Sequence, residues 1–179
     1  MLNRLPKLQP VLQVYAVIAV MLSAWTVIAF LWKLSAWLLI LNMGEIFTVF
    51  SYAMVTNLIE SLVVLFLLLL ACVLLPPHLL RDQFVVRGTI LAAGFITALM
   101  VFVKLDMQFG VESGARLLLG PLAILVLTAM LLSFSRTFRF VRLLHSAILW
   151  ISDRLVVFLY ILVPLFVFLS GYLLVRTFI

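Results

Sequence analysis

Long apolar stretches separated by short polar breaks follow one another along the whole chain. Between Leu62 and Leu75 every residue is apolar, so neither the two-residue alternation of a half-buried strand nor the one-sided stripe of a water-soluble helix is present. Wound as a helix, a run of about 20 such residues matches the roughly 30 Å hydrocarbon thickness of a bilayer. A membrane β-barrel would require apolar and polar residues in alternation, which these runs lack. The pattern predicts an all-α fold, a polytopic transmembrane helical bundle forming a single domain over residues 1–179.

Breakers and charges place five spans, over residues 11–32, 52–75, 86–103, 117–135 and 155–174. Pro10 suits the first turn of the first, because a proline there gives up an N–H that would have no helical acceptor. The run continues well past the length of a signal peptide's apolar region, so it reads as an uncleaved span. Leu34 to Leu41 is too short to cross again, and either prolongs a tilted first helix or lies at the interface, ending at Asn42-Met43-Gly44. The second span begins between Thr48 and Thr56 and stops at Pro76-Pro77, and Pro164 predicts a kink in the fifth. Before that last span, residues 136–153 form the most amphipathic segment. Arg136, Arg139, Arg142, Ser146 and Asp153 fall on one stripe, with Phe138, Val141, Leu144 and Ile148 away from it. This predicts an interfacial helix whose Arg136, Arg139 and Arg142 meet anionic headgroups or an acidic partner surface, or else only fix topology.

Composition agrees with that class: 68% of residues are hydrophobic, 10% are charged, and the mean hydropathy is +1.40. Charge adds a direction. With the N-terminus inside, the inner segments hold eight Lys and Arg against two acids, and the outer ones hold four of each. The whole net charge of +6 therefore falls on one side, the cytoplasmic one by the positive-inside bias, with the C-terminus outside. The expected location is an inner (plasma) membrane of prokaryotic type, with anionic lipid as the partner of the basic face and no role for nucleic acid. Cys72 is the single cysteine and lies within a span, so there is no disulfide framework and no thiolate metal site.

Candidate chemistry is sparse. The chain contains no nucleophile elbow, no HExxH, no phosphate-binding loop and no dinucleotide fingerprint, and no cofactor or metal is expected. His78, Arg81 and Asp82 follow Pro76-Pro77 and offer a phosphate grip or merely a solvated loop. Glu60 is the sharpest signal, because an acid inside an apolar span carries an energetic cost. At about 100° per residue, Tyr52, Thr56, Asn57, Glu60 and Ser61 fall within one half-turn arc, a candidate cation or proton site. Counting back a span's length from Pro76 instead places Glu60 about one turn deep, within reach of water, Lys33 or Lys104.

Small residues recur at spacing four in the third span, Gly88 with Ala92 and Gly94 with Ala98, joined by Thr89, Ala93 and Thr97. Such spacing lets a neighbouring helix approach closely, whether in the same bundle or in another subunit. These features lead to a non-enzymatic membrane subunit that packs into or stabilises a larger complex, with other membrane subunits or further copies as partners. A small oligomeric channel or transporter built on the Glu60 stripe, and an enzyme acting on lipid headgroups, are the other two readings.

Overall fold

A computed structural model describes residues 7–74, 83–109, 114–134 and 139–178. They form five helices, α1 (Leu8–Trp37), α2 (Met43–Leu74), α3 (Phe84–Phe109), α4 (Gly114–Phe134) and α5 (Arg139–Phe178), with no strand among the described residues. Over their described residues α1, α2, α3 and α5 are long and apolar enough to cross a membrane. The apolar stretch described in α4, Leu119–Thr128, is shorter, although the helix itself has 21 residues.

Helix α1 is the hub, touching α2, α3 and α5, while α4 packs mainly on α3. Near its start Val14 and Ile18 meet Leu68 and Cys72 of α2 and Phe84, Ala92 and Ile96 of α3. On another face Ala16 and Ala19 receive Leu159 of α5. Those two small side chains bring the α1 and α5 backbones together, which matters in lipid because dispersion contacts replace the hydrophobic drive. Farther along, Met54 of α2 packs on Phe166 and Leu169 of α5, with Val27 of α1 beside them.

These contacts make neighbouring helices in the chain antiparallel. The start of α1 lies with the end of α2 and the start of α3, and Gln13 donates to Asp153 of α5 at 3.2 Å. At the other end the start of α2 meets the last turns of α5: Arg176 donates to the Gly44 carbonyl at 3.0 Å, and the Phe47 and Tyr172 rings pack edge to face at 4.8 Å. The chain thus enters the bundle at one end and leaves it at the other.

The helices outrun their predicted bounds. Residues 34–37 prolong α1, and a turn over 38–41 leads directly into α2. That second helix starts at Met43, earlier than the expected 48–56, because Asn42 and Glu45 cap it reciprocally. The Asn42 Oδ1 accepts from the Glu45 N–H at 3.0 Å, and the Asn42 N–H donates to Glu45 Oε2 at 2.8 Å. This is capping-box geometry, and it adds an acid to the positive end of the helix dipole. Residues 139–153 are not a separate interfacial helix either. They run without a break into the last span, making one helix of 40 residues, about 60 Å long. Pro164 lies inside it, and Pro121 lies inside α4.

Candidate functional site

Two of the five polar residues grouped on the second span are core. Asn57 is 2% exposed and donates through Nδ2 to Ser23 Oγ of α1 at 3.1 Å. One turn on, Ser61 is 1% exposed, donates to the Leu58 carbonyl at 2.8 Å and lies 3.4 Å from the Tyr15 hydroxyl. Ser51, equally buried, returns its hydroxyl to the Phe47 carbonyl. Asn57 Oδ1 has no hydrogen-bond partner among the described residues. Asn57 and Ser61 tie α2 to α1, the role that hydroxyls and amides take between helices in lipid.

Tyr52, Thr56 and Glu60 face outward. The five side chains therefore do not make one polar face, contrary to the expectation. Their arc is about half a turn wide, so its Asn57–Ser61 edge turns onto α1 while its Tyr52–Thr56 edge leaves the bundle. Glu60 lies between the two, where α2 borders a groove of about 450 Å³ against α3. Leu22 and Trp25 of α1 form the floor, Val63 and Leu67 one wall, and Phe95 and Leu99 the other.

Glu60 stands near the middle of α2, not about one turn from its end. With α2 beginning at Met43, it stands 17 residues from one end of the helix and 14 from the other. The Asn57–Ser23 bond sets the register of α1, and from it Lys33 lies about 20 Å away along the bundle axis. The packing of Leu68 against Gly88 sets the register of α3 and separates Lys104 from Glu60 by about 12 Å. Glu60 has neither a hydrogen bond nor an ion pair among the described residues.

Both pairs of small residues in α3 serve the bundle itself, on two different faces. A Cβ at Gly88 would meet Leu68 and Val14 at 3.4 and 3.5 Å, and Ala92 is buried in the same cluster. A Cβ at Gly94 would come within 2.6 Å of Thr128 Cγ2 in α4, and Ala98 is buried too. Two turns on, Gly120 of α4 lies against Leu105 and Val101. Arg87, in the first turn of α3, and Thr89 are buried, and the Thr89 hydroxyl has no hydrogen-bond partner among the described residues.

The remaining candidates fall mostly elsewhere. His78, Arg81, Asp82 and Arg136 lie outside the described residues. Arg139 and Arg142 lie in the opening turns of α5, with side chains outside the described part. Sequence reasoning missed the polar knot where α2 begins and α5 ends. There Arg176 also donates to the Tyr172 hydroxyl at 3.1 Å, and Thr48 Oγ1 donates to the Gly44 carbonyl at 2.7 Å and lies 3.3 Å from Tyr172. Its signal was available as an exposed-end Tyr and Arg spaced i, i+4. Among the described residues no group of three or more His, Cys, Asp or Glu could hold a metal ion. Compared with known protein families, curated proteins and solved structures, the chain matches none.

Proposed function

We propose that this protein is a non-enzymatic integral membrane subunit of five spans that packs into a larger membrane complex and stabilises it. The carrying observation is the division of its polar groups. Asn57 and Ser61, turned inward, reach Ser23 and Tyr15 of α1, whereas Glu60, near the middle of α2, is turned outward beside an apolar groove and has no partner among the described residues. An acid placed so is stable in lipid only when neutralised or paired, which is what a neighbouring subunit supplies. The split of Tyr52, Thr56 and Glu60 from Asn57 and Ser61 weighs against a channel, because the described residues line no continuous polar path.

The alternating run of helices supports five passes with the termini on opposite faces, α4 being about 32 Å long. The N-terminus is cytoplasmic in this reading, on the face where the basic residues gather. Since α5 is about twice the hydrocarbon thickness, its opening turns, with Arg139 and Arg142, extend among anionic headgroups on that face. Extraction from native membranes in mild detergent tests the proposal. A complex of fixed stoichiometry, with no ion flux from the purified chain in liposomes, is expected. A chain that extracts alone and conducts would overturn it.

A further inference from the structure

We infer that the groove between α2 and α3 is the seat of one transmembrane helix of a different protein, and that this helix carries a Lys or Arg at the depth of Glu60. The inference rests on the subunit reading and names its docking surface and the partner's chemistry. The groove does not end at Glu60. A second hollow of about 200 Å³ shares Val64, Leu67 and Phe95 with it and runs on to Ala71 and Leu91. From Glu60 to Ala71 is eleven residues, about 16 Å along α2, or roughly three turns of an occupant. A peptide at this depth has to be helical, because lipid satisfies no backbone polar group.

Charge decides what that helix carries. The lining is apolar apart from Glu60 and the indole of Trp25, so recognition beyond shape falls to one carboxylate. A second copy of this chain does not answer it. Helix α2 contains no Lys or Arg, α1 has none between Lys7 and Lys33, α5 has none between Arg154 and Arg176, and the Arg116 of α4 stands in that helix's first turn, about 15 Å along the axis from the depth of Glu60. In α3 the basic residues are Arg87, which is buried, and Lys104, which lies about 12 Å along the axis from the depth of Glu60. Two copies meeting at this groove would set acid against acid. The small-residue faces of α3 are occupied by α1, α2 and α4, so the bundle has no need of the groove for its own packing.

The test uses the purified chain in phosphatidylcholine liposomes and a synthetic helix of about 20 leucines with a single central lysine, carrying an energy-transfer acceptor for tryptophan. All-leucine and central-glutamate helices serve as controls. The lysine helix is expected to bind the wild type at least about tenfold more tightly than the all-leucine one. That preference should vanish in E60Q, which keeps the size of the side chain, and binding should fall in L67W, which fills the groove and leaves Glu60 in place. Equal binding of the lysine and leucine helices, a lysine preference that survives E60Q, or stronger binding of the central-glutamate helix would each overturn the inference. The same variants in native membranes separate it from the reading beneath it. A complex present in wild type and lost in both variants supports the inference. A complex that persists in both overturns the groove and leaves the subunit reading standing, whereas a wild-type chain recovered alone sinks the subunit reading, and the synthetic helix then decides the inference.

Discussion

At the scale of single residues, the inward polar groups act as clasps whose worth depends on both halves being present. Removing Ser23 leaves Asn57, already missing a partner at Oδ1, with a buried amide nitrogen unpaired as well. Ser23→Ala should therefore cost about 1–2 kcal/mol in reversible unfolding from mixed micelles, near the upper end for hydrogen bonds between membrane helices. The double variant Ser23→Ala, Asn57→Leu should cost less than Ser23→Ala alone, because an apolar pair buries no unsatisfied group. Gly94 makes a steric prediction of the same scale. Its missing Cβ is the space that Thr128 occupies, so Gly94→Ala should destabilise by about 1–3 kcal/mol, and Thr128→Ala, which removes the two nearest atoms, should restore part of it. Sequence alone showed that glycine and alanine recur in α3, but not which partner each one faces. Spacing four selects a face, and the two pairs begin six residues apart, which turns them onto different neighbours.

At the scale of elements, the existence of each helix was legible because long apolar runs have no other stable form in lipid, whereas the bounds were not. The start of α2 was missed because Asn42-Met43-Gly44 reads as a break. It is a break, but Asn42 followed three residues later by Glu45 is also the spacing of a helix start. The consequence reached the candidate site, since the start at Met43 puts Glu60 near the middle of α2. The amphipathic stretch of 139–153 misled differently. Amphipathicity indicates which side of a helix meets water and says nothing about where the helix ends, and no Gly or Pro interrupts α5 between Arg139 and Pro164. Replacing Asn42 or Glu45 by Ala should each cost about 1 kcal/mol and should speed amide exchange in the first turn of α2. Because Arg176 holds the Gly44 carbonyl, the same substitutions should loosen the last turn of α5, which exchange at Tyr172 to Arg176 would report. Unchanged exchange there would mean that the two helix ends are held independently.

At the scale of the whole molecule, alternating helix directions place the start of α1 and the end of α5 at opposite ends of the bundle, and under the proposed five passes reporters fused at the two ends should score on opposite sides of the membrane. Both reporters on one side would break the five-pass arrangement. The groove adds a second expectation that concerns stability and function together. An acid turned outward near the middle of an apolar helix burdens the isolated chain where lipid or detergent surrounds it, because the described residues offer it no counter-charge. A group kept for a partner is often unfavourable until the partner arrives, so relieving it should strengthen the lone protein while weakening the assembly. Glu60→Leu should raise the midpoint of thermal unfolding of the purified chain by a few degrees and lower recovery of its complex from membranes. A structural acid satisfied within the bundle would give the reverse, a lower midpoint with recovery falling only in proportion. Measuring both quantities on Glu60→Leu, with Asn57→Leu as the inward-facing control from the same helix, separates the two cases. For Asn57 stability and recovery should fall together, and for Glu60 they should move in opposite directions.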